Sequence, residues 1–147
     1  MFKAMWLTKQ KNNAHAYGMN LYVRGKKTKI LVDDYVPMVD NRPAFAKISR
    51  DNGFWAPLAE KMWAKINVNY DHTTAGWMSE GLDALTGAPS FTYETKGLSD
   101  SAVWNLIVKA DKGHEILTTG SVENNVGIVP MHAYTLIGFA EVKLTNG

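Results

Sequence analysis

The sequence has 147 residues, 46% of them hydrophobic, which suits one domain with a packed core and excludes general disorder. Its 16 basic and 14 acidic residues nearly balance, so there is no global electrostatic case for nucleic acid. It contains no cysteine, which excludes disulfides, thiolate metal ligands and a cysteine nucleophile within these residues, and no apolar run approaches the ~20 residues that cross a bilayer.

Residues 1 to 16 show no clear periodicity. Lys3, Lys9, Lys11, Arg24, Lys26, Lys27 and Lys29 all precede the first acid, Asp33. A mitochondrial presequence is also basic and acid-poor, but Tyr17 to Val32 reads as folded strand, so a solvated basic hairpin is the better expectation. Tyr17 to Val23 is rich in strand formers, Arg24-Gly25-Lys26-Lys27 supplies a turn, and Thr28 to Val32 resumes the strand. Asp33-Asp34 closes it as a turn cap, since neighbouring strand residues face opposite ways and do not converge as a carboxylate pair. Pro37 sets the expectation that pairing ends nearby.

Phe54 to Asn67 is the clearest helix, with Trp55, Leu58, Ala59, Met62, Trp63 and Ile66 at helical spacing. Pro57 falls in the first turn, where amides lack partners anyway. The Trp/Met stripe reads as core, and Lys61 and Lys65 lie off it and are expected in solvent. A shorter helix is predicted from Trp77 to Leu85, closed by Thr86-Gly87. A third starts at Ser99 as N-cap, with Asp100 at the positive helix start and Lys112-Gly113 at its end. Its stripe is Val103, Leu106, Ile107 and Ala110.

The last third turns β-rich. Glu115 to Thr119 is a short strand candidate, Ser121 to Gly127 a loop, and Met131 to Leu144 an extended β signal that alternates from Phe139 onward. Asn146-Gly147 is a hairpin turn signal, so 139–144 is expected to present a sheet edge to a partner. No Gly-x-Ser-x-Gly elbow, Walker loop or Gly-x-Gly-x-x-Gly cradle occurs. His15, His72 and His114 have no metal spacing and read as surface or loop residues.

Four stretches, in order, resemble the calpain-type core, a branch of the papain-like cysteine peptidases. They are Val32-Asp33-Asp34-Tyr35-Val36-Pro37; Phe54-Trp55 through Glu60-Lys61 to Ala64-Lys65; Ser79-Glu80-Gly81 through Asp83 to Thr86-Gly87; and Gly127-Ile128-Val129-Pro130-Met131-His132-Ala133-Tyr134. The resemblance covers roughly residues 17 to 144. It implies an α+β fold: an incomplete two-lobe papain-like core of antiparallel strands with about three helices. Residues 1–75 would be the later part of lobe one, and 76–147 the first part of lobe two. It implies that His132 stands at the general-base position. The family's cysteine helix and its Asn-Pro-Trp-Gly motif have no counterpart here, and Asn146 is not that asparagine. Glu60 resembles one acidic ligand of a lobe-one calcium site, so calcium is expected only if another chain completes the set.

Two functions follow from the resemblance. One is a non-catalytic, structural or protein-interaction subunit of an intracellular, cytoplasmic or cytoskeletal assembly, docking through 139–144. The other is a segment or split subunit of a calcium-dependent endopeptidase, supplying His132 to a cysteine elsewhere. An inhibitory mimic that docks on a true peptidase is a third. Neither a nucleic-acid partner nor a membrane span is expected.

Overall fold

The structure, a computed structural model, describes residues 15–123 and 126–143. By internal contacts the chain divides into two compact units, residues 1–91 and 92–147.

The first unit begins with the antiparallel hairpin of β1 (Ala16–Val23) and β2 (Lys26–Asp33), in register from Val23↔Lys26 to Ala16↔Asp33. Its two-residue turn has Arg24 at φ 51° and Gly25 at φ 75°. Positive φ at both positions marks the turn whose twist matches that of paired strands. A second ladder, β3 (Met38–Val39) with β4 (Arg42–Pro43), follows Pro37. The β1–β2 pairing itself ends at Asp33, as expected near Pro37; the further two-residue ladder was not foreseen. Asp40 and Asn41 both take positive φ, and these two residue types tolerate that region at a turn.

Helix α1 (Trp55–Ile66) lays Leu58 and Met62 on Met19, Leu21 and Val32 of the hairpin. These five residues are the core, with Tyr17, Ile30, Phe54, Ala59, Ile66 and Leu85 half-buried around them. Of the predicted stripe, Leu58, Ala59, Met62 and Ile66 belong to this core, whereas Trp63 is half-buried outside it and Trp55 remains 51% exposed at the first turn.

Lys65 is exposed, as expected, and Lys61 only partly so, and both make hydrogen bonds to β2 or the turn after it. Lys61 Nζ donates to the Asp33 carboxylate and the Tyr35 carbonyl, and Lys65 Nζ donates to the Leu31 carbonyl at 2.7 Å. The helix is stapled to the end of β2 by two ammonium groups. A helical wheel cannot see which strand carbonyls lie opposite.

Helix α2 (Met78–Thr86) packs on β1. It stops at Gly87, whose φ of 67° is left-handed and whose amide donates to the Asp83 carbonyl at 2.9 Å. The Tyr22 ring lies against Gly87 so closely that a Cβ there would meet it at 2.5 Å.

In the second unit, α3 (Asp100–Lys112) starts as predicted, with Ser99 Oγ accepting the Ala102 amide at 3.3 Å. Strands β5 (Leu117–Gly120) and β6 (Ala133–Leu136) form an antiparallel ribbon. The expected long C-terminal strand does not form: 137–143 carry no strand, and Phe139 packs edge-on against Trp104, ring centroids 5.0 Å apart. Alternation alone makes no strand without a ladder partner. Residues 144–147, including the Asn-Gly turn, lie outside the described residues, as do 1–14. The described residues form a small mixed α+β fold with three α-helices, one 3-10 turn (Asp71–Thr73) and three antiparallel strand pairs.

Candidate functional site

His132 stands one residue before β6 and is exposed. The register Gly120↔Ala133 brings Ser121 opposite it. Ser121 N–H donates to the His132 carbonyl at 2.8 Å, and His132 N–H donates to Ser121 Oγ at 3.0 Å. The same hydroxyl donates to the Val129 carbonyl at 2.7 Å. Tyr134 completes the loop, its hydroxyl accepting the Val129 amide at 2.9 Å. Met131 is held at φ 48°, an uncommon conformation for a non-glycine residue. The backbone at His132 is thus pinned from both sides.

The imidazole meets the Tyr134 ring edge-on, centroids 5.2 Å apart. Among the described residues neither ring nitrogen has a hydrogen-bond partner. Such a ring can accept a proton from a group presented to it. Ser121 and Tyr134 carried no signal as loop-holding residues in the sequence, because their partners lie five to eleven residues away across a turn.

Glu60 belongs to the first unit, on α1. Its Oε2 accepts the Ala46 amide at 2.9 Å. The residue also lines an apolar hollow of about 270 Å³ with Leu21, Ala59, Trp63, Ala84 and Leu85. Nearby, Tyr70 stacks on Phe45 at 5.0 Å. Burial, then the carboxylates of Glu60 and Asp33, push its phenol pKa above the ordinary value. Among the described residues no three His, Asp or Glu side chains gather as a metal site. Calcium needs ~6–8 oxygens, more than the Glu60 carboxylate offers.

His15, His72 and His114 are all exposed, as expected. His15 Nδ1 lies 3.1 Å from Asp34 Oδ2, and His72 Nδ1 lies 3.1 Å from the Asn67 carbonyl. Asp33 and Asp34 do not act as a pair. Asp33 accepts the Tyr35 amide at 2.9 Å, as a turn cap does, and takes the Lys61 ammonium as well.

The Lys61 hydrogen bond, then that amide, hold the Asp33 carboxyl below its ordinary 3.8. The Ser49 hydroxyl and the Gly53 amide lower Asp51 likewise. A carboxyl depressed in the folded state stabilises the fold above its unfolded value, and that contribution is lost as pH falls through the folded one. Urea unfolding midpoints should therefore fall from about pH 4 downward. Asp33→Asn should flatten that acid limb, and an unchanged slope would remove Asp33 from the account.

The chain belongs to the calpain family of cysteine proteases, whose family description matches residues 1–147. The calpain-1 catalytic subunit of Bos taurus is 28% identical over 143 residues, which cover 91% of this chain and 20% of that protein. Calpain-10 of Macaca fascicularis is 34% identical over 77 residues, covering 52% of this chain and 12% of that protein. The calpain-type cysteine protease DEK1 of Zea mays is 25% identical over 149 residues, covering 92% of this chain and 7% of that protein. The chain thus spans about a fifth of the calpain-1 relatives and less of the others.

Proposed function

We propose that this chain acts as a non-catalytic calpain-like module, a structural subunit that binds other proteins. The observation that carries the reading is the thin core of the second unit. Among its described residues only Ala110 is buried. Met131 is 73% exposed, Val142 79% and Ile137 98%. A unit this small with so little buried apolar surface lacks the driving force to stand alone, and exposed apolar side chains in series favour a protein cover. The stretch after β6, including residues 139–144, is the place for that cover. A sequence without a cysteine also leaves His132 no thiol of its own to ionise. Among the described residues no helix is long and apolar enough to cross a membrane. A cytoplasmic or cytoskeletal setting goes with this reading.

The open imidazole favours a second reading. His132 would then be the general base for a cysteine carried elsewhere, in a longer chain or a partner, with Glu60 contributing one oxygen to a calcium site completed there. Labelling of the native assembly with a cysteine-directed peptidase probe in calcium separates the two. The first reading expects no labelling, or labelling that His132→Ala leaves alone. Loss of labelling by roughly 10³-fold or more on His132→Ala would overturn it and install the second.

A further inference from the structure

The hairpin of the first unit has an outer edge that neither proposed function uses. The two-residue turn makes Val23↔Lys26 the first mutually hydrogen-bonded pair of the ladder. Parity then makes Tyr22↔Lys27, Asn20↔Lys29 and Gly18↔Leu31 the alternate pairs, whose N–H and C=O groups point away from the partner strand. The Lys65 ammonium on the Leu31 carbonyl agrees with this parity, and it closes that end of the β2 edge. Lys27 and Lys29 are left with outward backbone groups that no other described residue meets.

The side chains at these positions carry a consistent charge. Lys27 and Lys29 share one face and are exposed, about 7 Å apart along the strand. Their cross-strand neighbours, Tyr22 and Asn20, are uncharged. Arg24 and Lys26 add two exposed cations at the tip. Among the described residues none of the four is in an ion pair, and the nearest acid along β2, Asp33, is held by Lys61. All four lie within about a Debye length of a neighbouring cation, so their fields add.

Edge lysines repel a second copy of the same edge, which excludes self-pairing. They favour an extended strand with carboxylates opposite them, because opposite charges across a ladder attract. We propose that the β2 edge from Lys27 to Lys29 receives an acidic, extended segment of another protein by strand addition. Backbone hydrogen bonds to Lys27 and Lys29 supply register, and the two ammonium groups select alternating acidic side chains. The inference lies outside the second unit and does not depend on what covers that unit.

The test uses the full chain and a soluble peptide of alternating glutamate and valine as probe. Binding is followed by titration, and amide hydrogen exchange reads the edge. The expected result is protection of the Lys27 and Lys29 amides by the glutamate peptide. A peptide with lysine in place of glutamate, or one N-methylated along its bonding edge, should bind at least about tenfold more weakly, since two cross-strand pairs turn from attraction to repulsion. Lys27→Glu with Lys29→Glu should reverse the preference and take the lysine peptide. Both positions are exposed and unpaired, so the double variant should keep its circular dichroism.

A matched control, Lys109→Glu with Lys112→Glu on α3, changes net charge equally and should leave binding unaltered. Equal loss in that control would overturn the proposal. So would protection elsewhere in the chain, failure of the swap in a folded variant, or binding to phosphatidylserine vesicles with none to the peptide.

Discussion

Met62→Ala lowers the stability of the first unit by about 2–5 kcal/mol. Met62 is fully buried, and it is the α1 side chain seated against the Met19, Leu21 and Val32 face of the hairpin. Truncation loses the transfer energy of the thioether side chain and leaves a cavity that a stapled helix cannot close. Lys61 and Lys65 hold α1 to β2 on its flank, so the helix does not slide inward to refill the space. For a unit of this size the loss is a large share of total stability, on the order of 0.05–0.15 kcal/mol per residue. Tryptophan fluorescence in urea reads it directly, because Trp55 and Trp63 lie on the same helix. Met62→Leu keeps volume and should cost less than about 1.5 kcal/mol. A loss below about 1 kcal/mol on Met62→Ala would show that the hairpin–helix contact is not the core.

Gly87→Ala is the second large effect, expected to cost roughly 2–4 kcal/mol. Two penalties combine. The left-handed φ of 67° strains any residue with a Cβ, and that Cβ would meet the Tyr22 ring at 2.5 Å. The ring is held by the hairpin, so relief requires α2 or β1 to shift. The two penalties separate in a double-mutant cycle. Tyr22→Ala should remove the steric part and leave about 1–2 kcal/mol of backbone strain. Thermal unfolding of the four proteins provides the numbers. Strict additivity would mean that Tyr22 does not press on the end of α2, and the packing of helix on strand would have to be redrawn.

Gly87 shows how far a local signal reaches. Thr86-Gly87 after an apolar-periodic run reads as a helix stop, and the structure stops there with the expected left-handed cap. Nothing in those residues says that a tyrosine 65 positions earlier lies on the glycine. Ser99 is similar: its capping role is local, because the acceptor and the amide it meets are three residues apart. The hairpin was legible for the same reason, but its turn is only Arg24-Gly25: Lys26 and Lys27, read as turn residues, pair in β2.

The misses have one common cause. A helical wheel gives Lys61 and Lys65 no partners, because the groups they bond on β2 and the turn after it are 26 to 34 residues distant. The ladder at Met38–Val39 escaped because two-residue strands have no periodicity to read. Residues 139–143 alternate as a strand should, yet a strand exists only where a ladder partner lies beside it.

At the site, the motif around His132 marked it as the candidate base. The clamp of Ser121 and Tyr134 on that loop came only from the register of β5 with β6.

By itself, then, the sequence determined the hairpin, the three helices, the caps at Ser99 and Gly87, and the family, since each is written in residues a turn or two apart. Tertiary structure alone decided which lysines became staples, which alternating run found no ladder, how little of the second unit is buried, and which edge of β2 faces outward. Those outcomes depend on groups distant along the chain and adjacent in space, and the free energy of such a contact is set by the partner that folding supplies.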